Sequence, residues 1–197
     1  MSTVRTLTLA DAALPGVTAF RDLALVAGAS VLTALAAQVA VPLPGSPVPL
    51  TGQTFAVLLT GAALGARRAF LAQALYLAEG AAGLPVFAGG LGGAWLLAGP
   101  TGGFLFAFPL AAALVGALAE RGWDRRFATT LAAMLLGTGV ILLSGAAALA
   151  RLLPPGQALG AGLWPFLPGD LLKAVAASLV LPAAWRAVGS GRSGRGA

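Results

Sequence analysis

The 197-residue chain contains no cysteine and no histidine, has a single lysine, and carries charge on only 9% of its residues against 58% hydrophobic. The first two absences exclude disulfides, thiol nucleophiles, Cys/His zinc sites and any catalytic triad that needs imidazole. The one lysine, Lys173, follows Leu171-Leu172, so no glycine loop of the Walker A type ends in it and the chain has no recognisable P-loop for ATP. A soluble domain carries roughly 25% charged residues, so this chain cannot cover a water-facing surface. Its net charge of +6 does not mark a nucleic-acid binder, because the basic residues sit in small groups between apolar runs and not along one face or arm. Residues 1–20 lack the order of basic start, apolar run and small-residue cleavage site, so no cleaved signal peptide is expected.

What is present is a series of apolar runs bounded by charges and by Pro/Gly breaks. Six segments result: Asp22–Val41, Gln53–Ala66, Ala69–Gly80, Gly103–Ala119, Phe127–Ala150 and Gly169–Val188. The expected fold is all-α, an integral membrane protein with six transmembrane helices. A cytoplasmic segment, 1–20, leads into a single six-helix domain, 21–188, and a disordered cytoplasmic tail, 189–197. The second and third helices fall short of the ~20 residues that ~30 Å of hydrocarbon requires. A re-entrant hairpin over 53–80 is the alternative, but it would bring Arg67-Arg68 into the membrane at several kcal/mol. Two short helices with buried loops above them avoid that cost.

Orientation follows from the arginines. Arg5, Arg21, Arg67, Arg68, Arg121, Arg125, Arg126, Arg186, Arg192 and Arg195 fall on one side and Arg151 alone on the other. The positive-inside rule puts the first group and both termini in the cytoplasm of a cell-membrane protein.

The links on the other side are unusual. Val41–Gln53 has four prolines and no charge, and the 23-residue Ala81–Gly103 is apolar and rich in glycine. Connections between packed helices usually take 2–8 residues. This long outer loop between the third and fourth helices therefore reads as a lid or cavity wall, or else as an interfacial loop anchored by Trp95. Gly99-Pro100-Thr101-Gly102-Gly103 can form a nest of backbone N–H groups at a helix start. Equally, the spacings Gly61-xxx-Gly65 and Gly99-xxx-Gly103 suit close helix packing. Asp170 and Lys173 lie three apart and share a helix face. They either pair locally at a helix start or face a cavity, offering an acceptor and a donor to a ligand; ionisable residues in membrane helices are usually functional. Glu79 is a weaker candidate that also suits a helix cap.

Four stretches resemble one family. Pro47-Val48-Pro49-Leu50-Thr51-Gly52-Gln53, Gly83–Gly90 (GLPVFAGG), Gly99–Phe104 (GPTGGF) and Pro168–Lys173 (PGDLLK) are similar, in order, to signatures of the BioY proteins. These are the substrate-binding S components of energy-coupling-factor (ECF) biotin transporters. The resemblance, over about residues 21–188, implies a six-helix S component that captures biotin from outside. It implies no cofactor in this chain. ATP is used by separate ATPase subunits, coupled through a transmembrane T component. It implies ligand contacts at Asp170 and Lys173, at Thr51 and Gln53, at Phe87, Gly89 and Gly90, and at Thr101, Gly102, Gly103 and Phe104. Two departures stand out: Phe104 replaces the tyrosine common in the family, and Ala88-Gly89-Gly90 stands where some members carry a polar residue. Small residues in the first helix, Ala24 and Gly28 among them, match the face by which S components dock on the T component, and equally suit packing within the monomer. The rival readings are an S component for another vitamin, a stand-alone permease or channel, and an intramembrane enzyme. Only Ser178 lies near Lys173 to supply a Ser-Lys dyad.

Overall fold

The computed structural model describes residues 7–14, 16, 18–154 and 156–193. Arg5, Arg195 and residues 194–197 of the expected tail lie outside them. Six helices of twelve residues or more form the bundle: α2 (Ala19–Ala37), α3 (Gln53–Leu64), α4 (Ala66–Ala81), α6 (Gly102–Ala119), α7 (Phe127–Leu149) and α9 (Leu167–Ser193). Short helices α1 (Leu9–Ala13), α5 (Trp95–Ala98) and α8 (Gln157–Gly162) lie in the connections. Four of the long helices, α2, α6, α7 and α9, are long and apolar enough to cross a membrane. At twelve and sixteen residues, α3 and α4 reach only ~18 and ~24 Å.

The departures from the sequence reading have local causes. The first helix ends at Ala37 and not Val41, because Ala40–Val41 (β1) pairs antiparallel with Leu50–Thr51 (β2). That two-stranded clasp closes the proline link, and its four prolines, which lack an N–H, fall in the connecting turn and not in either strand. The third helix begins at Ala66 and not Ala69. Gly65, at φ +83°, makes the whole α3–α4 connection by itself. Arg67-Arg68 therefore occupies the first turn of α4, where the helix dipole disfavours cations. Carboxylates compensate: Arg68 bonds Asp11 at 2.8 Å and Asp22 at 3.1 Å, and Glu120 Oε1 accepts from the Ala66 N–H at 2.9 Å. Burial alone would raise the Asp11 carboxyl, but hydrogen bonds from Thr8 and Arg68 and the charges of Arg68 and Arg21 hold it below its ordinary value. The last helix continues to Ser193, five residues beyond the expected boundary at Val188.

Helix α6 is the hub, packed against α3, α4 and α7. Glycine makes this possible. A Cβ on Gly61 would come within 2.8 Å of the Ala112 carbonyl of α6, and one on Gly116 within 2.5 Å of the Ala66 nitrogen. Backbone approach of this kind is how helices associate where lipid removes the hydrophobic incentive. The outward surface is apolar, with Phe20, Phe106, Leu143, Leu172 and Leu179 all exposed. The arginine-rich connections, α3–α4 and α6–α7, lie at one end of the bundle. The proline clasp, the glycine-rich loop and the start of α9 gather at the other.

Candidate ligand cavity

At that second end the ends of α3, α6, α7 and α9, the β2 clasp and the α4–α6 loop enclose a cavity of about 260 Å³. Most of its wall is apolar: Phe87, Trp95, Phe104, Phe108, Leu142 and Phe166 all line it. Its polar end is built by Thr51, Thr54, Asp170 and Lys173. The volume lies near the lower end of small-molecule sites, ~300–1,000 Å³.

The two charges expected to share a helix face do so, and their bonding separates their roles. Lys173 Nζ donates to the Thr51 carbonyl at 2.7 Å, to Thr54 Oγ1 at 2.8 Å and to Asp170 Oδ1 at 2.8 Å. An ammonium has three donors, so all are engaged within the protein. The Thr54 hydroxyl in turn donates to Asp170 Oδ1 at 3.0 Å. The other oxygen, Asp170 Oδ2, is buried and has no hydrogen-bond partner, in a residue only 2% exposed. An unsatisfied buried acceptor is expensive, more so on a carboxylate. Thus Asp170 holds the open acceptor, and Lys173 ties α9 to the clasp and to α3. Thr54 was not foreseen. Its spacing of three from Thr51 was visible, but its partners lie more than a hundred residues away.

Thr51 and Gln53 line the cavity as expected. Their side-chain bonds, however, run into the scaffold. The Thr51 hydroxyl donates to Gln53 Oε1 at 2.8 Å, Gln53 Nε2 donates to the Tyr76 hydroxyl at 2.6 Å, and that hydroxyl donates to the Val86 carbonyl at 3.0 Å. This chain of bonds links the clasp to the loop that carries Phe87. Phe87 lines the cavity, packs edge-to-face on Tyr76 at 5.5 Å, and rests where Gly80 leaves no side chain. Gln38, at the end of α2, holds the same loop from outside: its Nε2 donates to the Phe87 carbonyl at 3.2 Å and its Oε1 accepts from the Gly90 N–H at 2.9 Å.

Thr101 and Phe104 also line the cavity, Phe104 with its ring 5.6 Å from that of Phe166. Gly89, Gly90, Gly102 and Gly103 do not. Gly89 and Gly90 form an exposed turn at φ +72° and +69°. A Cβ on Gly102 would strike the Leu97 carbonyl, and one on Gly103 would meet Ala148 of α7. Here Gly89 and Gly90 turn the chain, Gly102 approaches the Leu97 backbone, and Gly103 packs on α7, as the Gly99-xxx-Gly103 spacing allows. Glu79 lies away from the cavity, accepting from Ser30 at 2.5 Å to tie α4 to α2. Arg151 is exposed and does not line it. Among the described residues no group of three or more acidic side chains could hold a metal.

On α2, Ala24 and Gly28 are exposed, and a Cβ on Gly28 would meet nothing within 4 Å. Val31 and Leu35 continue the same exposed stripe one and two turns on. Packing within the monomer therefore does not account for the small residues at 24 and 28.

Comparison with known proteins gives the family and the fold. The model of the BioY family matches residues 6–190. A protein of Thermotoga maritima named biotin transporter BioY is 43% identical over 141 residues, 71% of this chain and 82% of that one. A probable biotin transporter BioY of Pyrococcus horikoshii is 40% identical over 160 residues, 81% of this chain and 93% of that one. The fold matches the crystal structure of the S component for biotin from an ECF-type ABC transporter, with a TM-score of 0.75 at 24% identity, covering 87% of this chain and 95% of that one.

Proposed function

The chain belongs to the BioY family, and we propose that it takes up biotin as the S component of an ECF transporter, with the cavity open to the outside of the cell membrane. The relatives named as biotin transporters support the substrate, and the likeness to a solved S component supports the fold. The observation that carries the reading is Asp170 Oδ2, a buried acceptor without a partner at the polar end of an apolar chamber. Biotin's ureido ring presents N–H donors that answer it, and the sulfur ring and alkyl chain suit the phenylalanine-lined wall. Lys173 acts as a positioning residue, holding the Asp170 carboxylate by Oδ1 so that Oδ2 stays free.

In this reading α2, α3, α4, α6, α7 and α9 all span the membrane, and the loop between α4 and α6 fills the outer depth that short α3 and α4 leave. ATP is hydrolysed by partner ATPase subunits, and a T component docks on the Ala24–Gly28–Val31–Leu35 stripe. The substrate is tested by identifying what co-purifies with the chain. Mass spectrometry of the denatured, purified protein should find biotin enriched; a different vitamin enriched in its place overturns the assignment. Orientation is tested on a chain that is naturally free of cysteine. Single cysteines at Arg67, Arg125 and Gly160 should react with an impermeant maleimide outside intact cells only at position 160. External labelling at position 67 would invert the topology.

A further inference from the structure

At the end of the bundle opposite the cavity, the turn between α6 and α7 and the later part of α9 build a second recess. Gly122, at φ +84°, turns the chain after α6, and a tight helical turn over Trp123–Arg125 follows. That turn is fixed from both sides. The Thr129 and Thr130 hydroxyls donate to the Trp123 carbonyl at 2.8 and 3.0 Å. Asp124 points inward, 2% exposed, and its Oδ2 accepts from Trp185 Nε1 of α9 at 2.5 Å. Burial pushes the Asp124 carboxyl above its ordinary range, outweighing the Trp185 hydrogen bond and the Arg125 charge. The Arg125 guanidinium lies over the Trp185 ring, 4.5 Å from its centre.

The result is a recess of about 310 Å³ bordered by Arg125, Arg126 and Arg186, with Phe127, Leu179 and Pro182 among its walls. No carboxylate lines it, and among the described residues no ion pair engages Arg126 or Arg186. Arg21 and Arg68 of the same end differ, since both share Asp11 and Asp22. Those two arginines are neutralised internally, whereas the three that border the recess have no ion pair among the described residues.

Three like charges around one recess repel each other unless an anion joins them. The one polar residue among the remaining walls, Ser178, is buried and donates its hydroxyl to the Ala174 carbonyl, so a small hydrated anion would gain little from them; Leu179 and Phe127 are apolar and exposed on the outside of the bundle. Depth supplies the second constraint. Arg186 lies sixteen residues beyond Asp170 on the same helix (186 − 170), ~24 Å along its axis, which crosses most of ~30 Å of hydrocarbon and arrives near head-group level. We infer that this recess binds the head-group phosphate of an anionic glycerophospholipid of the inner leaflet, with the guanidiniums on the phosphate and the acyl chains over Phe127 and Leu179. The assignment to the inner leaflet rests on the orientation proposed above.

Native mass spectrometry of the intact chain in dodecyl maltoside tests this, with dioleoylphosphatidylglycerol, dioleoylphosphatidylcholine or inorganic phosphate added at equal concentration. The parent should retain phosphatidylglycerol at least tenfold more than phosphatidylcholine. The double variant R126Q/R186Q should lose at least fivefold of that retention, whereas R121Q, at an exposed arginine outside the recess, should match the parent. Arg125 is left in place because it stacks on Trp185. Unchanged biotin binding by R126Q/R186Q certifies its fold. If it misfolds, R126Q and R186Q alone, both at exposed positions, give the same readout. Equal phosphatidylglycerol retention by parent and variants overturns the inference, and so does inorganic phosphate held as firmly as the lipid. Absence of biotin binding in the parent would count against the proposed substrate and leave the lipid result standing.

Discussion

Asp170→Asn should fold as the parent does and bind biotin about 10- to 150-fold more weakly, whereas Lys173→Met should lose folded protein as well as ligand. The difference follows from which oxygen does what. Asparagine retains one acceptor, and Lys173 Nζ and the Thr54 hydroxyl, both bonded to Asp170 Oδ1, will orient the amide so that its oxygen faces them. The amide NH₂ then replaces Oδ2, and a ureido N–H meets a donor where it needs an acceptor. A hydrogen bond to a charged group contributes ~1.5–3 kcal/mol, and tenfold in affinity corresponds to ~1.4 kcal/mol, which gives the range. Lys173→Met removes three bonds together, from the Thr51 carbonyl, Thr54 and Asp170. It leaves a carboxylate 2% exposed without its cation, and breaking one side of a buried pair costs ~3–5 kcal/mol. The double variant Asp170→Asn/Lys173→Met removes both charges and should recover folded yield without recovering biotin binding. Isothermal titration with biotin and the yield of monodisperse protein separate the two effects. If both single variants bind as the parent does while yield falls, the pair is purely structural.

The same substitution in two helices should have opposite consequences. Gly116→Leu should abolish or sharply reduce folded protein, because its Cβ would lie 2.5 Å from both the Ala66 nitrogen and the Gly65 carbonyl carbon. Those atoms are backbone in a one-residue connection at φ +83°, which has no slack to yield. Overpacking costs ~1–3 kcal/mol even where side chains can move, and ~3 kcal/mol corresponds to a fall of ~6–12 °C in Tm for a domain of this size. Gly28→Leu meets nothing within 4 Å and should leave both Tm and biotin binding unchanged. It should, however, weaken co-purification with the T component several-fold, since a bulky side chain then stands on the exposed stripe of α2. Loss of biotin binding by Gly28→Leu to the same degree as loss of association would assign the stripe to the fold and not to a partner. Thermal unfolding in detergent and pull-down by tagged T component read the two outcomes.

How far the sequence reached can be judged at particular residues. Two short helical runs either side of Arg67-Arg68 are visible in the sequence, but the break between α3 and α4 falls at Gly65, and the two arginines belong to the first turn of α4. The Asp170–Lys173 pair was legible from its spacing within one helix. The resemblance implies ligand contacts at Gly89, Gly90, Gly102 and Gly103, and none of these four lines the cavity. A glycine looks the same in sequence whether it admits a ligand or another backbone. Thr54, Tyr76, Gln38 and Phe166 were not singled out, since each gains its place through a partner distant in the chain.

Composition and order along the chain determined what is local or averaged: a membrane-embedded helical bundle, the polarity of its two ends, the exclusion of thiol, imidazole and P-loop chemistry, and the helix carrying the paired charges. These follow from hydropathy, helical period and residue inventory, which need no knowledge of neighbours in space. Tertiary structure decided which polar atom is left without a partner at the end of the cavity. Lys173 is consumed only because β2 and α3 bring Thr51 and Thr54 within 2.8 Å of it, and Asp170 Oδ2 is left without a partner because Lys173 Nζ and the Thr54 hydroxyl both donate to Oδ1. Likewise three arginines from a turn and a distant helix form one recess only because Asp124 and Trp185 fasten the two together. A charge is written in the sequence; whether it is spent or available depends on what the fold places beside it.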